Sequence, residues 1–200
     1  MTARERAPRA SGFSLVELLV SLTVLMVVLT GLATMMIGNS KINKAEQMRA
    51  RAHADARNCL SMIVQKLRSA GWDPANAGIP SVALDPDPGD SVDQIEIFAD
   101  LDDDATTDGP GEQVLIRHSG QTVTWRNSSD VSAPFGILAV HIDNDEDGDG
   151  TPEPMFVPDS TTSPKRITVR VTARSPVPDP TSGEIIRYTV ASEVTLRKEL

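Results

Sequence analysis

Between Phe13 and Ile37 the chain reads FSLVELLVSLTVLMVVLTGLATMMI, apolar at almost every position and free of Pro, Lys, Arg and Asp. As a helix this run reaches about 37 Å, enough to cross the hydrocarbon core of a bilayer. Beyond it the pattern takes a different form: Ile42, Ala45, Met48, Ala52, Ala56, Leu60, Ile63, Leu67 and Ala70 recur at steps of three and four, one face of a helix. No proline falls between Phe13 and Gly71, and Gly71 followed by Pro74 is a C-terminal stop. The spacing therefore predicts one helix of about 58 residues, roughly 87 Å long, whose inner half spans and whose outer half packs.

From residue 79 onward helical periodicity gives way to short runs between Pro, Asp and Gly. Strands are predicted at Gln94 to Ala99, Gln113 to His118, Thr122 to Arg126, Gly136 to Ile142, Arg166 to Arg174 and Ile185 to Arg197. The strict alternation in Arg166 to Arg174 reads as a strand with one buried face, and its expected partner carries Tyr188, Val190, Val194 and Leu196 across the Pro-rich loop 175 to 184. Ser119-Gly120 is an expected hairpin turn. An antiparallel sheet laid on the outer half of the helix gives both elements somewhere to bury their apolar sides. The expected fold class is α+β, a long N-terminal helix packed on an antiparallel β-sheet head.

Charge divides the chain along the same lines. Residues 1–12 form a basic leader of net +2, 13–40 carry −1, 41–68 carry +5, and 69–200 carry −15, with 9 Lys and Arg against 24 Asp and Glu. So acidic a head repels a phosphate backbone, and nucleic acid is not an expected partner. The basic leader favours a cytoplasmic N-terminus and a head on the far side of the membrane, although Lys41 and Lys44 weigh the other way. Residues after Met35 offer no small-x-small cleavage site, so removal of the whole apolar run as a signal peptide is not expected.

Glu17 is the one charge inside the apolar run, where a carboxylate costs roughly 2.5 to 3.5 kcal/mol at mid-membrane and less near an end. Either it snorkels to the headgroups or it meets a cation. Its surroundings, Gly12-Phe13-Ser14-Leu15-Val16-Glu17-Leu18-Leu19, resemble the start of type IV pilins and type II secretion pseudopilins: a short basic leader ending in Gly, a Phe, Glu at the fifth position of the mature chain, then a long apolar helix. The resemblance implies cleavage between Gly12 and Phe13 by a membrane aspartic peptidase and N-methylation of Phe13. It also implies that Glu17 meets the new amine of a neighbouring subunit during filament assembly. In low dielectric that contact sets register more than it adds stability.

A pilin-like organisation divides the chain into a leader at 1–12, a transmembrane helix at 13–37, an amphipathic continuation at 38–71 and an acidic, β-rich extracytoplasmic head at 72–200. Leu67-Arg68-Ser69-Ala70-Gly71-Trp72, the loop Ala99-Asp100-Leu101-Asp102-Asp103-Asp104 and Gly111-Glu112-Gln113 also resemble PilW-type minor pilins. What this implies is a minor pilin of the inner membrane, with its leader in the cytoplasm and its head in the periplasm. Its partners would be other pilin subunits, the prepilin peptidase and methyltransferase, and membrane lipid, and its role filament initiation or tip structure. A minor pseudopilin of a type II secretion system is the first alternative. An uncleaved single-pass adhesin or sensor is a second.

Two acidic clusters invite a metal reading. Asp143, Asp145, Asp147 and Asp149 stand at alternate positions with Gly148 to permit a turn, the opening spacing of a calcium loop, but the twelfth position is Pro154 and Glu153 comes one place early. A non-EF calcium loop and a solvated acidic turn are both open; Asp100, Asp102, Asp104 and Asp108 form a second, weaker set. No other cofactor is expected. The basic residues of 41–68 read as a solvated face or as a surface for acidic neighbours, and Cys59 beside the apolar stripe as a small buried hydrophobe. His53, His118 and His141 stand singly, and G-x-S-x-G, H-E-x-x-H and P-loop signatures do not occur, so an enzyme is not expected.

Overall fold

The structure, a computed structural model, describes residues 14–85, 92–127, 130 and 132–197. Helix α1 runs without interruption over Leu15–Leu67, 53 residues. Eight strands follow: β1 Val82–Leu84, β2 Val92–Phe98, β3 Gln113–Ser119, β4 Thr122–Asn127, β5 Gly136–Val140, β6 Phe156–Pro158, β7 Arg166–Arg174 and β8 Arg187–Thr195. The chain divides into two compact units, one ending at Asn43 and one beginning at Lys44.

In the first unit every described residue of α1 is exposed. Ser21, Thr23, Thr30 and Thr34 each donate a hydroxyl hydrogen bond of 2.7 to 2.9 Å to a carbonyl three or four residues back in their own helix. A helix that satisfies its own hydroxyls presents lipid with no unpaired donor.

In the second unit α1 buries Ala45, Ala52, Ala56, Cys59, Ile63, Val64 and Leu67 along one face. Three of these are alanines. Ile42, expected in the same stripe, is 54% exposed and lies outside this unit. The α-helix ends at Leu67 rather than at Gly71; a turn over 68–71 closes it, with the Ser69 and Ala70 amides donating to the Lys66 and Leu67 carbonyls. Gly71 completes that turn at φ +71, and an added Cβ would come within 2.7 Å of the Arg197 carbonyl. Only glycine fits both the left-handed backbone and that approach.

The strands form two sheets where the sequence suggested one. Strands β1 to β5 make a five-stranded antiparallel sheet in chain order, and β6, β7 and β8 a three-stranded one. The predicted pairing of β7 with β8 is present, with Ile167 opposite Val194, Val171 opposite Val190 and Ala173 opposite Tyr188. The expected hairpin joins β3 to β4 through Gly120 and Gln121, with Ser119 opposite Thr122. Strand β5 stops at Val140 rather than reaching Ile142, because His141 at φ +62 and Asn144 at φ +51 turn the chain from one sheet to the other. Ile142 instead makes an isolated bridge to Ala173.

One continuous core joins the parts. Ala56, Cys59, Ile63 and Leu67 of the helix pack with Ile95, Ile97, Val114, Ile116 and Val123 of the larger sheet and with Ile167, Val169 and Val171 of the smaller. At the seam between sheets the Asp93 carboxylate accepts the amides of Met155 and Phe156, and His118 Nε2 donates to the Ile142 carbonyl at 3.0 Å. A carbonyl only accepts, so that bond places the ring proton on Nε2. Burial pushes the Asp93 carboxyl above its ordinary range, against the pull of the two amides and of His118.

Candidate functional site

Gly12 and Phe13, the expected cleavage and methylation residues, lie outside the described residues. Glu17 is described, at the third position of α1. Its carboxylate accepts the backbone amide of Ser14 at 2.9 Å, while the Ser14 hydroxyl accepts the amide of Val16 at 3.4 Å. This is a variant of the capping box in which the Ser14 hydroxyl takes the Val16 amide in place of that of Glu17: it satisfies amides at the start of the helix, and it sets a negative charge against the positive end of the helix dipole. Its signature was in the sequence, since Ser14 stands three places before Glu17 ahead of an apolar run. In the single chain Glu17 is thus held by its own backbone, with a second oxygen remaining for a further donor.

The four aspartates proposed as a calcium loop divide. Carboxylate oxygens of Asp145, Asp147 and Asp149 lie within 4.8 Å of one another. Asp143 turns to Arg174 and Arg187, at 3.6 and 3.7 Å, and burial raises its carboxyl above the ordinary range despite both guanidiniums. Arg187 also bonds Asp145 Oδ2 at 3.1 Å. The two Asp145 oxygens further accept the amides of Gly148 and Gly150. At Gly148, φ +83, an added Cβ would lie 3.0 Å from Arg187 Nη1, so the glycine makes room for the guanidinium as well as for the turn. Arg187 supplies positive charge where a bound cation would supply it, and a metal at these residues would have to compete with it.

The loop from Ala99 to Gln113 is built differently. Asp100 is fully buried and accepts the amides of Asp103, Asp104 and Ala105; Glu112, 2% exposed, accepts those of Leu101, Asp102 and Gly109. In the sequence Glu112 stood out only within the segment that resembles PilW-type pilins, and nothing in its local pattern marks it as a buried acceptor. Oxygens of Asp100, Asp102 and Asp104 lie within 4.8 Å of one another, as do those of Asp104, Asp108 and Glu112. Dehydration, then the charges of Asp104, Glu112 and Asp100, push Asp102 upward, whereas hydrogen bonds from Thr106 pull Asp104 downward. The carboxylates fit an oxygen-loving cation by donor type, and in this structure three of them, Asp100, Asp104 and Glu112, are taken up in holding backbone amides.

Side chains with catalytic potential are dispersed in structural roles. The His53 ring meets Tyr188 edge-on at 4.3 Å, and His118 belongs to the sheet seam. Cys59 is 1% exposed, and burial pushes its thiol up to about 12, far from the range of a reactive thiolate.

Residues 8–33 match the family model of the prokaryotic N-terminal methylation motif, a span that takes in Gly12, Phe13 and Glu17. Neither the comparison with characterised proteins nor the comparison with solved structures gives a match. A methylation motif leading a long apolar helix is consistent with a type IV pilin-like protein, and supports a pilin or pseudopilin. Proteins with this motif are structural rather than enzymatic, and the motif implies contact with other pilin subunits and with a prepilin peptidase. The apolar helix suits a single-pass membrane anchor.

Proposed function

We propose that the chain is a minor pilin, of the PilW-like kind, that joins a type IV pilus and contributes to filament initiation or to the tip. The observation that carries this reading is the methylation motif at residues 8–33 running directly into an unbroken helix, Leu15–Leu67, whose later half is built into a β-rich head. Such a chain has no use for catalysis. The anchor bundles with neighbouring anchors, and the head presents a surface. Cleavage falls between Gly12 and Phe13 at the cytoplasmic face of the inner membrane, Phe13 is N-methylated, and the head lies in the periplasm until assembly.

Glu17 then exchanges partners. A carboxylate in hydrocarbon is tolerable when it faces a cation, and cleavage creates one at the Phe13 amine of the adjoining subunit. The same features serve a type II secretion pseudopilin, and the genes beside this one distinguish the two systems. Mass spectrometry of the protein purified from its own membranes tests the reading: the expected N-terminus is methylated Phe13. A chain that retains Met1 overturns it in favour of an uncleaved, membrane-tethered adhesin or sensor.

A further inference from the structure

In a head with so large an excess of acid, basic side chains should find carboxylates, and most of those in the smaller sheet do: Arg166 pairs with Glu193 and Asp159, Arg170 with Glu146, and Arg174 and Arg187 with Asp143. Lys165 and Arg197 pair with none among the described residues, yet they line the same cleft. Ser81, Ser163, Ile79 and Leu196 line it too. The Arg197 guanidinium lies 4.3 Å above the Trp72 ring, a stacking contact that fixes its plane and leaves its N–H edge free to donate. Gly71 lines the same cleft.

Two cations without a carboxylate partner among the described residues line one cleft together with two serines, a lining whose chemistry suits an anion. The cleft holds ≈ 180 Å³, below the roughly 300 to 1,000 Å³ of sites for whole small molecules. It suits a single side chain or chain end. We propose that this cleft binds a carboxylate borne by an acidic peptide segment of an adjoining protein, with Arg197 and Lys165 as the cations and Ser81 and Ser163 as hydroxyl donors. That the adjoining protein is another filament subunit rests on the function proposed above; the binding itself does not.

Trp72 reports on the site directly. In the full chain in detergent micelles, with Trp125→Phe removing the other tryptophan, acetylated tetra-aspartate should change Trp72 fluorescence saturably, with an affinity that falls as salt rises. Lys165→Gln and Arg197→Gln should each weaken binding about tenfold, and Arg197→Lys, which keeps the charge without the stacked plane, less than Arg197→Gln. Both cations are exposed, so these variants should melt with the parent. No saturable change, an equal change with tetra-asparagine, or unaltered binding in the glutamine variants would overturn the assignment. Saturation by inorganic phosphate without response to the peptide would overturn it as a peptide site. None of these results bears on processing at Phe13, so the site and the filament reading fail separately.

Discussion

Asp93 shows how one half-buried carboxylate can hold two sheets together at a cost. It accepts two amides of the chain entering β6, yet burial raises its carboxyl. A group whose pKa is higher in the fold than in the unfolded chain favours folding most at low pH, and that contribution is lost as pH rises through the folded value. Asp93→Asn keeps an acceptor without the charge, so at neutral pH it should be no less stable than the native chain, with the acid-side dependence reduced. Asp93→Ala leaves two amides without a partner and should lose about 1 to 3 kcal/mol. Urea denaturation followed by tryptophan fluorescence checks both, and equal losses in the two variants would contradict this role. Neither the desolvation of Asp93 nor that of Glu112 could be read in the sequence, since burial of an acid depends on residues far along the chain. Cys59 was legible because its neighbours on the helical stripe, Ala56 and Ile63, are buried with it.

Among the elements, legibility followed length. Strand β7 was read to the residue because its nine positions alternate, whereas β1 and β6, three residues each, are too short to carry a period and were missed. The acidic loops were read as calcium loop or solvated turn, and the structure adds a third use: carboxylates as acceptors for loop amides, with Arg187 as an internal cation at 143–149. Removing that cation leaves the mostly buried Asp145 without a cationic partner and Asp143 with Arg174 alone. Arg187→Gln should therefore cost about 1 to 3 kcal/mol. Millimolar calcium should recover part of the loss, because Asp145, Asp147 and Asp149 already converge. Thermal melts with calcium and with chelator check this, and a variant as stable as the native chain would refute the role of Arg187.

For the whole molecule the decisive group is Glu17, which caps α1 in the single chain and, in the proposed filament, neutralises a neighbour's amine. The two roles separate by substitution. Glu17→Gln keeps an oxygen for the Ser14 amide but loses the charge, and Glu17→Ala loses both. Both variants should still be cleaved, and both should enter filaments at least tenfold less than the native chain, as measured by immunoblotting of sheared filaments; normal entry of the glutamine variant would rule out the ion pair. What the sequence determined by itself was local and periodic: the anchor, its methylation motif, the helical stripe and the strongly alternating strands, because each is set by residues within a few turns or a few pleats. Tertiary structure alone decided the division into two sheets, the burial of Asp100 and Glu112, the partition of the 143–149 carboxylates by Arg187, and the placing of Lys165 and Arg197 along one cleft. Each of those depends on contacts between residues distant in the chain, and a pattern read along one dimension carries no record of which distant groups will come to share a desolvated space.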